Sequence, residues 1–471
     1  MQWFLIISKM FDRSKSTVDL KRYSYNSEPY LIIATVLYTT SLTVSTSLEN
    51  EAYRRKFCQP LIPFGECLVG IYESQLLVYS DTKILQYLIS FVVLLLAGAW
   101  SDRHGRRRKP LIFLPIIVQI LTDGLIILSY YWSWPLTFDD IIVWTFPALY
   151  VGRNMFWVGV MSYVSENSTI KSRTLKHGII IATYPLSLLI GNGVVVLIGM
   201  FIQFKYYYGL LFLVSLLLNL IALMVVKLYI KDTSDSYDKD IIWQKPKYVL
   251  KEFTSLFENK LINLTVVLMI CQSILVTRIG CDYDLLMIYI KHSNYWYNDE
   301  EVYFTVLKML AIFFGIVFSS SVLSHCMKIN DLKICILFCC FYIAAAISYI
   351  FPNQIWQIIM IAIIYLCHGT VVTIISSIVS KLVAIDQLGR LNSIQMCMNS
   401  LLTLGVVYAY QIAFGYINYT KIGHLCLITF LYVLLTLPIL YVFVILYSKY
   451  KDFWQNYTVA EKQKNVYVIS Q

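Results

Sequence analysis

Apolar runs of about twenty residues, broken by short polar connections, dominate the chain, and about twenty apolar residues is what an α-helix needs to cross the hydrocarbon core of a bilayer. Windows of this length without uncompensated charge fall at 29–48, 85–100, 111–130, 141–164, 178–202 and 208–230. A second series follows at 261–289, 303–323, 332–351, 355–379, 394–417 and 422–447. The pattern predicts twelve transmembrane helices in two halves of six, 29–230 and 261–447. Between them runs the polar stretch 231–260, with Asp232, Asp235, Asp238, Lys239, Asp240, Lys245 and Lys247. Within it, 250–257 reads either as a short amphipathic helix on the inner membrane surface or as solvated linker. Segments 1–28 and 448–471 are predicted as cytoplasmic tails. The stretch Met1 to Phe11 has no small-residue cleavage site, so the first span is expected to direct insertion.

Composition agrees with this pattern. Of 471 residues 58% are hydrophobic and only 14% charged, and the mean hydropathy is +0.65. That is too little polar surface for a water-soluble globule of this length, so the expected fold class is an all-α polytopic membrane protein. Placing both termini in the cytosol puts about 27 of the 38 Lys and Arg on the inner side and about 7 outside. The net charge of +10 thus follows from topology, and no nucleic-acid partner is implied. Aromatic residues such as Tyr130, Tyr131, Trp132 and Trp134 fit an interfacial belt. Most of the eleven cysteines lie within the runs as small packing residues. Cys58 and Cys67 share the first outer loop, where an intraloop disulfide is expected rather than a metal site. Asn418, in Asn-Tyr-Thr, is the glycosylation triplet that this topology places outside.

The loop between the second and third runs reads Gly98-Ala-Trp-Ser-Asp102-Arg103-His-Gly105-Arg106-Arg107-Arg108-Lys109. A glycine for close helix packing, an aspartate able to cap or pair across helices, a turn glycine and a held run of arginines describe a latch. The pattern, carried by Gly98, Asp102, Arg103, Gly105, Arg106 and Arg107, resembles the corresponding loop of the major facilitator superfamily. Further segments narrow the resemblance to solute carrier family 46, the group that includes the proton-coupled folate transporter. They are Glu28-Pro29, Tyr53-Arg54-Arg55, Arg173-Thr174-Leu175-Lys176 in the inner loop before the fifth span, Gly280 to Tyr289 with Trp296, and Ser380-Lys381-Leu382-Val383 with Gly389 and Ser393. The resemblance implies a twelve-span facilitator fold moving organic anions or amphipathic solutes, often with protons. Ile181 stands where folate transporters carry a span-five glutamate, and Ser376 or Ser377 where they carry a span-ten arginine. The second copy of the arginine-rich loop, expected at 320–333, lacks both the Gly-Arg core and the charge run.

Charges inside spans are costly and ask for partners. Asp123 and Arg153 lie at similar depth, about 12 residues from the inner ends of their spans, and are expected to pair, either as a fixed salt bridge or in substrate or proton work. Arg278 and Asp282 share a helical face around Gly280 and, with Asp284 and Lys308, form a candidate outer gate. Tyr365, Gly369, Thr373, Ser376 and Ser380 lay a small polar stripe on span ten that lines either a cavity or a close helix contact. His368 beside it is either a packing residue or a proton site. Tyr38, Ser41 and Ser45 form a candidate second wall of the cavity.

Two functions compete. One is a secondary transporter importing an organic anion related to folates, peptidoglycan fragments or nucleotides, possible proton symport included, with no cofactor and no metal. The other is a transport-inactive receptor or scaffold of the same fold, favoured by the lost coupling residues. Plasma membrane and endolysosome both fit the sequence. No nucleophile–base pair or metal cluster suggests an enzyme.

Overall fold

In the computed structural model the residues described are 27–57, 89–132, 152–201, 204–232, 263–276, 298–348, 366, 368–416, 434 and 436–449. Among them every regular element is helical. The first half contains α1 (Glu28–Phe57), α2 (89–103), α3 (Lys109–Trp132), α4 (Gly152–Glu166), α5 (Ile170–Phe201) and α6 (Phe204–Tyr229). Then come α7 (Asn263–Val276), α8 (Asn298–Val317) running on into a π-helix (Phe318–Cys326), α9 (Asp331–Ser348), α10 (His368–Leu382), α11 (Leu388–Tyr416) and α12 (Thr436–Lys449). Among the described residues four stretches are long and apolar enough to cross a membrane: Lys109–Leu128, Ile170–Met200, Gly209–Tyr229 and Thr305–Cys326.

Two separate apolar cores organise these helices. Leu31, Ala34, Ile112, Ile116, Phe156, Val160 and Val226 join α1, α3, α4 and α6, with Ile181 of α5 packed alongside. Leu268, Phe338, Ile374, Val379, Leu391 and Phe443 join α7, α9, α10, α11 and α12. On α6, Leu213, Leu217, Leu220, Ile221, Met224 and Leu228 point outward, the apolar belt a bilayer covers. Hydroxyls inside the apolar helices turn back on their own backbone: Thr35 to the Leu31 carbonyl at 2.7 Å and Thr39 to that of Thr35 at 2.6 Å.

Helix ends are satisfied by side chains brought from elsewhere. Asp232, just past α6, accepts the backbone N–H groups of Arg108 and Lys109 at 2.9 and 2.8 Å and so caps α3. Asn330 accepts the Leu332 N–H at 3.0 Å and caps α9. One boundary differs from the sequence reading. Arg173, Thr174, Leu175 and Lys176 lie in the first turns of α5 rather than in the loop before it. Their charges ended the hydropathy window early, but the helix continues because each finds a partner there.

The halves meet through α2 and α4 against α11, and through α5 against α8 and α10. A small cluster of Leu94, Leu111, Met155, Val158 and Cys397 bridges them.

Candidate functional site

The loop after α2 is a latch between halves. Gly105 takes φ 72° and Arg106 φ 60°, which reverses the chain in two residues. Gly98 lies so close to α11 that an added Cβ would come within 2.5 Å of the Gly389 carbonyl oxygen. Asp102 then reaches the start of α11, accepting the N–H groups of Gly389 and Arg390 at 3.0 and 2.8 Å. A carboxylate there caps the helix and meets its positive end. The Arg390 Nε–H also donates to it, at 3.3 Å, and Arg108 pairs with it at 2.6 Å while binding Glu166 of α4 at 2.6 Å and Ser101 at 2.9 Å. The loop pattern in the sequence named Arg103, Arg106 and Arg107 for the latch. The turn instead holds Arg103, Arg106 and Arg107 half-buried around its rim, and buries Arg108 at 1% exposure.

A second clasp closes the same end. Lys381 at the end of α10 pairs with Asp331 at the start of α9 at 2.8 Å, and both bind the Thr174 hydroxyl of α5, at 2.7 and 3.0 Å. Burial alone would push the Asp331 carboxyl up. Lys381, with Ser324 and Thr174, more than offsets that and holds it below the usual carboxylate range. Arg173 donates to the Ser380 carbonyl at 2.7 Å, capping the end of α10, and Asn392 donates to Ser162 at 2.9 Å. The arginine-rich loop is degenerate in the second half, as its sequence suggests, yet an ion pair occupies the equivalent place with the signs exchanged. Arg at the start of α3 faces Glu at the end of α4, whereas Asp at the start of α9 faces Lys at the end of α10.

Deeper in, Arg153 stands exposed on α4, about 20 Å along the helix from Glu166. Its guanidinium lies 4.9 Å from the Tyr184 ring centre and donates to the Tyr184 hydroxyl. Trp157 meets the same ring edge-on, with centroids 6.3 Å apart. Asn154 crosses to the other half and donates to Ser400 at 3.1 Å. The ion pair expected between Arg153 and Asp123 is replaced. Asp123 is fully buried among α1, α3 and α6, where Ser45, Gln119, Ser215 and Asn219 donate to its two oxygens at 2.7–3.0 Å.

Tyr38, Ser41 and Ser45 face into the first half instead of walling a cavity. Tyr38 packs on Phe156, and Ser41 bonds Ser215. The span-ten stripe makes a helix contact. Gly369 meets Ile316 of α8, Ser376 faces His177 of α5 at 3.4 Å, and His177 bonds Ser165 at 2.8 Å. Lys308 is 1% exposed within α8, not set in an open vestibule. Arg278, Asp282, Tyr365, Cys58, Cys67 and Asn418 lie outside the described residues, as does the His368 side chain. Sequence reasoning missed Arg108, Glu166, Asp331, Tyr184, Ser215 and Asn219. Only the four-residue spacing of Gln119 with Asp123 and of Ser215 with Asn219, polar pairs inside apolar runs, offered a signal for the buried cluster.

A sequence profile described as Major Facilitator Superfamily matches residues 84–407, more than half of the chain. The chain belongs to the Major Facilitator Superfamily. Solved structures of similar fold are transporters. The human organic anion transporter MFSD10 (TETRAN) is 11% identical with a TM-score of 0.67, over 89% of this chain and 99% of that one. The fucose:proton symporter FucP of E. coli, in its outward conformation, is 11% identical with a TM-score of 0.62, over 88% and 98%. A bacterial homologue of the iron transporter ferroportin, in an outward-facing state, is 13% identical with a TM-score of 0.62, over 89% and 99%. At these identities the likeness concerns the fold. A comparison with curated protein sequences returns no match. The protein is therefore a multi-pass integral membrane facilitator whose two halves are held shut at the end bearing the 98–109 loop.

Proposed function

We propose that this facilitator is a secondary active transporter of the solute carrier family 46 type, carrying an organic anion by alternating access. Arg153 is the anion's anchor. The observation that carries this reading is an exposed guanidinium laid over Tyr184 in the first turn of α4, a helix that also touches the opposite half. A cation exposed on the face between two halves is placed to meet an anion there. The planar fork of arginine suits a carboxylate or phosphate, and the rings of Tyr184 and Trp157 suit a flat apolar portion beside it. With the latch loop in the cytosol, the sealed end faces inward, and rocking of one half on the other would break both clasps to release solute.

Uptake into proteoliposomes of folates, muropeptide fragments and nucleotide anions, at acidic and neutral pH, tests the proposal. Saturable flux of one class, lost in Arg153→Gln, is the expected result. Binding without flux for every class would make the protein a receptor and overturn it.

A further inference from the structure

Ser45 of α1, Gln119 and Asp123 of α3, and Ser215 and Asn219 of α6 form a closed polar cluster inside an apolar bundle. Four of the five are fully buried, and Gln119 is 8% exposed. We propose that this cluster is a binding site for a monovalent cation, Na+, with Asp123 as its charged ligand.

Charge comes first. A carboxylate taken out of water loses hydration worth on the order of 20 kcal/mol in the continuum limit. Here four neutral donors answer it, at 2.9, 2.9, 2.7 and 3.0 Å, and they leave a net charge of −1 enclosed in the half. Arg153, the cation expected to neutralise it, is turned to Tyr184 instead. One positive charge balances the cluster; a divalent ion would leave it positive.

The donor set selects the ion. One carboxylate, two hydroxyls and two carboxamides offer oxygen and neither sulfur nor imidazole, which suits a hard cation and not a transition metal. Each neutral member can turn its oxygen inward, the hydroxyls by rotation and the amides by a half-turn of the terminal torsion. Asn219 gives the independent sign. With its N–H group on Asp123, its own Oδ1 is buried at the cluster without a hydrogen-bond partner, an oxygen left to be satisfied there. Tyr38 links the cluster to the anion anchor. Its fully buried ring packs on Phe156 of α4, the helix that carries Arg153, and its hydroxyl has no hydrogen-bond partner among the described residues. Filling the site would thus be felt at Arg153. This last step, coupling, rests on the transport reading; ion binding does not.

The test uses the full-length protein in nanodiscs, with radioactive Na+ binding and thermal unfolding measured in NaCl, KCl and choline chloride at equal ionic strength. Expected are saturable Na+ binding and a rise in Tm specific to Na+, both lost in Asp123→Asn. Asn219→Ala keeps the carboxylate and should weaken Na+ binding about tenfold. That variant decides the matter should Asp123→Asn fail to fold. Equal Tm values in the three salts would overturn the proposal. So would proton uptake that depends on Asp123 with no Na+ binding, because the cluster is then a protonation site. Na+ binding without any solute flux would sink the transport reading and leave the site standing.

Discussion

Replacing Asp102 by Asn tests whether the latch holds one conformation. Only the bonds from Asp102 to Gly389 and Arg390 cross between halves, whereas its pair with Arg108 stays within the first half in either state. Three hydrogen bonds to the carboxylate cross there, from the Gly389 and Arg390 backbone N–H groups and, longer at 3.3 Å, from the Arg390 Nε–H; the two short ones are worth about 1.5–3 kcal/mol each, and Asn keeps one neutral bond of about 0.5–1.5 kcal/mol. The sealed state should lose about 3 kcal/mol relative to the open one, a shift of about two orders of magnitude in population. Cys397 reports it without an added label site. Its thiol is 2% exposed and sits against the Phe91 carbonyl across the interface at 3.5 Å. With the other cysteines replaced by Ser, its reaction with a membrane-impermeant maleimide from the latch side should quicken about a hundredfold in Asp102→Asn, up to the limit set by full opening. Solute preference should not change. Unaltered labelling, or an altered solute profile with unaltered labelling, would refute the assignment of Asp102 to the gate.

Gly98→Val should act in the same direction by sterics, since its side chain would overlap Ser393 and the Gly389 carbonyl in the sealed state; Cys397 labelling measures this. Arg153→Gln should raise KM for the transported anion about ten- to a hundredfold, with Arg153→Lys intermediate because it keeps charge but loses the planar fork, as read from initial uptake rates. Lys381→Met leaves Asp331 without its cation and should loosen the same end, detectable as faster Cys397 labelling and a lower Tm. The Asp331 carboxyl is held below its unfolded value, so its stabilisation is present above that value and is lost only as pH falls through the lower folded one. The second clasp should therefore stay shut between neutral pH and about pH 5, and Asp331-dependent opening in that window, followed by the same labelling, would contradict the pairing.

Residue pattern alone determined that this is a helical membrane protein of facilitator type. Hydrocarbon thickness demands long apolar runs whatever their neighbours are, and the 98–109 loop combines a packing glycine, a capping acid and a turn glycine in adjacent positions, where sequence can be read. The tertiary structure decided which charge meets which. Arg106 and Arg108 are two residues apart and chemically identical, and only the turn at Gly105 and Arg106 determines which one is buried between Asp102 and Glu166. Asp123 and Arg153 share a depth along their helices, but depth does not give rotation about the helix axis, and rotation sent one to a hydroxyl and amide cage and the other to Tyr184. Asp331 and Lys381 lie 50 positions apart, and the clasp they make mirrors with opposite signs the pair of Arg108 and Glu166, which are 58 positions apart. Helix rotation and inter-half packing are long-range properties, settled by which faces bury best together, so no local window could contain them.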